Sequence, residues 1–263
     1  MKRFIRDLKS YWGYTRYSAY AMLKSEVASS YLNWLWWVLD PLLYMLVYLF
    51  IAQIVFRTPE RAFPVFVICG LTLWDFFNRN VLGSVKLVRS KQSIISRVYL
   101  PKFVLVLSHM LTNGVKMLIS LALLLILMPF FGCLYSLQML HLIPIFLTLF
   151  LLTFGVSMIM MHFGVFVDDL YNIMQALLRL VFYVSGVFYS LDTRLQWLPK
   201  IYGQILLKGN PVAFCIHSMR QVLIYQTVPD YGILALWILA GVVLSVFGIW
   251  LVYRYENNYA KVI

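Results

Sequence analysis

Apolar residues in this chain neither alternate nor recur at a single helical spacing; they run on, in blocks. Six predominantly apolar stretches span approximately 33–56, 63–86, 102–130, 141–166, 170–191 and 231–253. About 20 such residues is the length an α-helix needs to cross roughly 30 Å of hydrocarbon. The pattern therefore predicts an all-α membrane protein with six transmembrane helices in one domain, 1–263. Residues 1–31 precede the six-span bundle at 32–254, and 255–263 form a tail.

Three segments depart from the pattern. Near the start, Phe4, Leu8, Tyr11 and Trp12 recur at helical spacing while Lys2, Arg3, Arg6 and Lys9 fall elsewhere. This predicts a basic amphipathic interface helix lying among headgroups, the other reading being a solvated positive tail. In the loop at 87–101, Ile94, Ile95, Val98 and Tyr99 share one face of a short helix over 90–99, with Lys91, Ser93, Ser96 and Arg97 off it; Pro101 suits the first turn of the next span. Such a helix either docks against a partner or rests on headgroups. Residues 192–230 hold two moderately apolar halves around Lys208-Gly209-Asn210-Pro211. Each half is too short to cross, and Gly-Asn-Pro marks a turn. A helical hairpin dipping into the outer leaflet and bordering a cavity fits this best; two helices lying flat on the surface are the alternative.

Charge orients the bundle. The formal net charge is +12, concentrated within 1–31 and 86–102. Lys and Arg accumulate on the cytoplasmic side of membrane proteins. This places both termini and the 87–101 loop in the cytoplasm, and 57–62, 131–140 and 192–230 outside. With 62% hydrophobic and 12% charged residues, no soluble basic face remains for nucleic acid. No cleavable leader is expected, since the first long apolar run begins only near Leu32. Cys69, Cys133 and Cys215 are too scattered for a disulfide framework or a zinc site and read as apolar packers. The chain has no G-x-x-x-x-G-K-[ST], H-E-x-x-H or G-x-S-x-G, and its four histidines are dispersed. Asp168-Asp169, where the fifth span opens, reads as helix capping. No catalytic, cofactor-binding or metal-binding residue is predicted, so any work done requires a partner or a gradient.

The charges that remain inside the spans are the candidates for function. Asp75 and Arg79 are four residues apart and can pair; Asp40 precedes Pro41; Lys116 and Arg179 lie near the middle of their spans with no partner in their own helix. Two readings stand: the cations meet an anionic substrate such as a phosphate-bearing lipid, or they pair across helices with Asp40 or Asp75. Trp37, Tyr44 and Tyr48 fall on one face of the first span, where they either stack on sugar rings or pack against protein.

Four further stretches stand out: Trp34-Leu35-Trp36-Trp37-Val38-Leu39-Asp40-Pro41, then Gly70-Leu71-Thr72-Leu73-Trp74-Asp75-Phe76-Phe77, then Ile94-Ile95 before Leu100-Pro101, and last Asn210-Pro211 with Arg220 nine residues after the proline. Together they resemble the permease of ABC exporters of the second type, which carry lipid-linked polysaccharides: teichoic acid, O-antigen and capsule. The resemblance covers nearly the whole chain. It implies an interface helix at 4–24 and a coupling helix at 90–99, whose Lys91, Ile94, Ile95, Arg97, Val98 and Tyr99 dock into a separate ABC ATPase subunit. ATP and magnesium would be bound there and not in this chain. It implies an external gate hairpin at 195–227 with Asn210, Pro211 and Arg220. It further implies a passage with Trp37, Tyr44, Tyr48, Arg79, Lys116 and Arg179 as candidates, and two copies of this chain with two ATPase chains in the bacterial cytoplasmic membrane. The cargo would be a polymer on an undecaprenyl-type diphosphate. Such permeases often carry Arg-Asp where this chain has Asp168-Asp169, so no role for that arginine transfers. Competing expectations are an exporter of drugs or small lipids with the same plan, and a membrane-embedded enzyme acting on lipid-linked glycans.

Overall fold

The computed structural model describes residues 2–28, 32–51, 61–95, 97–191 and 200–262. These residues form α-helices joined by turns and short 3-10 segments, with no strand among them: α1 (Lys2–Ala28), α2 (Trp36–Ile51), α3 (Phe63–Val85), α4 (Leu87–Ser90), α5 (Gln92–Ile95), α6 (Lys102–Leu127), α7 (Leu142–Phe166), α8 (Leu170–Val184), α9 (Lys200–Gly209), α10 (Pro211–Leu223) and α11 (Tyr231–Val262). Four helical stretches are long and apolar enough to cross a membrane: Phe63–Val85, Phe103–Phe131, Leu137–Phe166 and Tyr231–Glu256. Two shorter apolar helices, α2 and α8, fall where the first and fifth spans were expected. The predicted residues 52–56 of the first span lie outside the described residues.

The fifth apolar stretch stops being helical at Val184, short of the expected 191, for a local reason. Ser185 Oγ donates back to the carbonyl of Val181, and Gly186 adopts a φ of +64°. A left-handed residue ends a helix, and glycine takes that conformation without a Cβ clash.

α3 lies at the centre, buried along most of its length. α7 and α11 pack along each other through small residues. A Cβ built on Gly155 would lie 2.7 Å from the backbone of Leu244 and Ser245, and one on Gly248 would lie 2.7 Å from Met158 Cβ. Ser245 Oγ donates to the Leu151 carbonyl at 3.0 Å across the same seam. Lipid tails are as apolar as leucine, so helices in a bilayer gain from close backbone approach and interhelical hydrogen bonds more than from hydrophobicity. α3 and α6 are joined by a buried amide pair, in which Asn113 Nδ2 donates to Asn80 Oδ1 at 2.9 Å.

α1 does more than rest beside the bundle. Phe4 packs on Phe103, Ser108 and Thr112 of α6 donate to the carbonyls of Thr15 and Ala19, and Glu26 reaches Lys116. α1 therefore runs alongside α6 from Phe103 to Lys116. One end of the bundle gathers the basic loop 86–102 with the starts of α1 and α8 and the ends of α7 and α11. The opposite end carries the α9–α10 pair, whose two helices meet at Asn210.

Candidate functional site

The residues singled out in the sequence fall into three places. The first is a cleft between α2, α3 and α8 of about 320 Å³, lined by Tyr44, Tyr48, Trp74, Arg79, Arg179 and Phe182 among others. Arg79 Nη2 stands 3.6 Å from Asp75 and 3.9 Å from Asp40, tying α2 to α3. The three side chains are each about two-fifths exposed, so they are neither sealed nor fully wet. Arg179 forms no ion pair among the described residues. Tyr48 stacks on Phe188 with ring centroids 3.5 Å apart; Phe188 abuts Phe182, and Phe182 abuts Trp74. The wall therefore offers aromatic faces above a mixed-charge floor.

Tyr44, Tyr48, Arg79 and Arg179 thus share one cleft. Trp37 and Lys116 line an adjoining recess with Asp40, Asp75 and Arg79, of about 30 Å³, the space of one or two water molecules. Lys116 is not an unpartnered cation. Its ammonium lies 2.5 Å from Glu26 Oε2, a partner that the sequence pattern could not supply because it sits on α1. Trp74 stands in one of the four stretches that carry the resemblance but not among the passage candidates, and Phe182 in neither. A signal for both is present all the same: Trp74 precedes Asp75, and Phe182 follows Arg179 by one helical turn.

The second place is the loop at the basic end. The expected single helix over 90–99 is two short turns instead, α4 and α5, and the helix ends at Ile95. Val98 and Tyr99 lie beyond it and are exposed, as is Arg97. Leu100 precedes Pro101, which disfavours helical backbone there. Ile95 turns inward against the core, so it does not share an outer face with Val98 and Tyr99; Lys91 is half-buried. Ser96 and the side chain of Ile94 lie outside the described residues. Arg89 anchors the loop: it donates to the Val165 carbonyl at 2.9 Å and forms an ion pair with Asp168. Lys86 sits over the Tyr171 ring at 3.7 Å. Asp168 therefore serves as Arg89's counter-ion. Asp169 occupies the position before α8 but makes no side-chain capping bond, which corrects the capping reading of this pair. At the far end of the loop, Tyr99 touches Arg3 and Glu256. Partial burial of its hydroxyl end, and then the charge of Glu256, push the Tyr99 phenol above its ordinary pKa. Burial lowers Lys102 from its usual value, with Glu256 opposing.

The third place is the α9–α10 pair. Asn210 caps α10, its Oδ1 accepting from the Val212 and Ala213 amides at 3.1 and 3.3 Å, and Pro211 opens the helix. Asn210 Nδ2 also donates to Ser185 Oγ at 2.9 Å, which ties the turn to the end of α8. Residues 195–199 of the expected gate hairpin lie outside the described residues. Arg220 is buried at 4% exposure. Its Nε, Nη1 and Nη2 donate to the carbonyls of Phe66, Gly186 and Val187 at 3.1, 2.8 and 2.6 Å. It fastens α10 to the start of α3 and to the turn after α8.

No family model matches the chain. Curated proteins do. It is 27% identical over 242 residues to the O-antigen export system permease protein RfbA of Klebsiella pneumoniae, covering 92% of this chain and 91% of that one. The chain is similar to O-antigen export permeases. A second protein so named, from Myxococcus xanthus, is 28% identical over 88% of this chain and 87% of its own length. The polysialic acid transport protein KpsM of Escherichia coli is 24% identical over 72% of this chain and 73% of its own. The likeness to export permeases extends over most of the chain that builds these three places, which bears out the resemblance read from the residues. Among the described residues no group of three His, Cys, Asp or Glu side chains is arranged to hold a metal ion.

Proposed function

We propose that this chain is the transmembrane subunit of an ATP-driven ABC exporter that moves a lipid-linked polysaccharide or teichoic acid polymer, carried on an undecaprenyl-type diphosphate, from the cytoplasmic to the outer side of the membrane. The observation that carries the reading is the likeness to O-antigen export permeases over more than nine-tenths of the chain, together with a cleft whose chemistry suits such a cargo. Aromatic faces stack on sugar rings, and arginine recognises phosphate oxygens through its planar fork. Arg179 is the cation best placed to do so, since Arg79 is already held between two carboxylates.

Six spans follow if α2 and α8 are counted as crossing helices. At 1.5 Å per residue, α2 with 16 residues and α8 with 15 fall short of the hydrocarbon thickness alone. The turn after α8, seated on Arg220, would complete the fifth crossing. The α9–α10 pair would then be a re-entrant external gate. Lys and Arg at the basic end support a cytoplasmic position for it and for both termini. The cleft lies between α2, α3 and α8, and a second copy closing over it would enclose a passage; symmetric pairs are the usual solution. A nucleotide-hydrolysing subunit would dock on the exposed Arg97, Val98 and Tyr99.

The test is co-expression with an ATPase from the same export locus. The complex should purify together, and replacing the exposed Arg97 and Val98 by Asp should abolish export while leaving membrane insertion intact. Unchanged export in that double variant refutes the assignment.

A further inference from the structure

The basic end of the bundle holds a junction centred on Glu256, a residue to which the likeness assigns no role. Three elements distant in sequence meet at one carboxylate. Glu256, near the end of α11, is 8% exposed. Its Oε1 accepts from Arg3 Nη2 of α1 at 2.7 Å and from Tyr99 Oη, in the segment between α5 and α6, at 3.2 Å. Arg3 Nη2 also donates to Tyr99 Oη at 2.5 Å, closing a triangle. A second strut runs beside it: Tyr253 of α11 donates to Asp7 Oδ2 at 2.9 Å, and the Arg3 guanidinium covers the Tyr253 ring at 4.5 Å. One turn after Glu256, Tyr259 is fully buried and shares a 2.7 Å hydrogen bond with His162 of α7.

Surface ion pairs contribute little because water screens them and their side chains stay mobile. This one differs in two respects. Glu256 is almost fully buried, and its second oxygen, Oε2, has no hydrogen-bond partner among the described residues. A buried carboxylate left half-satisfied is costly, and it depends strongly on the partners it has. Its carboxylate is held by Arg3 and Tyr99, although the Arg3 side chain is itself about half exposed. The loop 86–101 is thus fixed at both ends: Arg89 ties its start to the end of α7, and Tyr99 ties its finish to α1 and α11 at Glu256.

We infer that Glu256 is a positioning residue that yokes the 86–101 loop to α1 and α11, so that displacement of the loop by an ATPase subunit is delivered to both helices together and not absorbed within the loop. The inference rests on the export reading above. It also accounts for the placement of α1. A helix that runs alongside α6 and reaches Lys116 through Glu26 beside the cleft recess carries movement from the basic end toward the charged floor of the cleft.

The experiment uses the intact complex with its ATPase, reconstituted with lipid-linked polymer, and reads polymer exported per ATP hydrolysed. Glu256→Gln keeps the size of the side chain and one acceptor oxygen but removes the charge. ATP turnover should stay within about twofold of the parent while the export-to-hydrolysis ratio falls about tenfold, the loss of roughly one 1.4 kcal/mol increment of coupling. Tyr99→Phe should lower the ratio by a smaller factor. The exchanged pair Arg3→Glu with Glu256→Arg should recover part of it. A purely structural residue would lower complex yield, hydrolysis and export in proportion, at constant ratio. That result, or a parental ratio in Glu256→Gln, overturns the inference. If the parent chain itself captures no ATPase, the export reading falls and the inference with it; if the parent is captured and exports, only the inference is at stake.

Discussion

Removing the Arg220 guanidinium is the sharpest perturbation available, because it separates a brace from a gate. The group donates three hydrogen bonds to backbone carbonyls of Phe66, Gly186 and Val187 and lies 3.4 Å from the centre of the Phe66 ring. Two of those carbonyls belong to the turn that follows α8, and a buried backbone carbonyl there needs a donor. Hydrogen bonds to charged groups contribute about 1.5–3 kcal/mol each, and carbonyls left dry cost a comparable amount. One side chain makes all three, so the terms do not add fully. Arg220→Ala should cost about 4 kcal/mol, at the upper end for a single substitution. Arg220→Lys keeps the charge but cannot fan toward three acceptors, and should cost about half as much. The fit is tight from both sides: a Cβ on Gly70 would lie 2.8 Å from Arg220 Nη2 and 2.7 Å from the Val187 carbonyl. Unfolding in mixed micelles, followed by tryptophan fluorescence, measures the difference. If Arg220→Ala unfolds within about 1 kcal/mol of the parent yet abolishes export, the bracing argument is wrong and Arg220 acts as a moving part.

Two further outcomes follow from packing and charge. Gly155→Ala, whose added methyl meets the Leu244–Ser245 backbone at 2.7 Å, should destabilise the α7–α11 seam by about 1–3 kcal/mol; Gly13→Ala on α1, where nothing lies within 4 Å, should be neutral or stabilising by up to about 1 kcal/mol. Both are read in the same micelle unfolding assay. Glu26→Gln, which strips Lys116 of its ion pair, should lower stability by about 1 kcal/mol, whereas Arg179→Gln, which breaks no ion pair among the described residues, should leave stability unchanged and reduce export measured in vesicles.

The sequence by itself determined the class, the placement of the long apolar helices and the basic end. Those properties depend on the length of apolar runs and on where Lys and Arg lie, both of which are local. α3, α6, α7 and α11 fall where their apolar stretches predicted. The Asn210-Pro211 turn is legible for the same reason, since a cap and an N-terminal proline act within one turn of backbone. At 90–99 the apolar spacing fits one helical face, while the Leu100-Pro101 constraint and the tertiary anchors at Arg89 and Tyr99 favour two short turns, and the latter prevail. Only the folded chain could decide which charges meet. Lys116 finds Glu26, Arg79 finds Asp40, and Arg3 finds Glu256 across 253 positions. Such pairings are set by helix crossing angles and by which faces pack, and no spacing along the chain encodes them. The same holds for Arg220, expected in a gate and found in the structure as a buried brace. The carbonyls of Phe66, Gly186 and Val187 accept from it, and a carbonyl has no side-chain identity for a sequence to display.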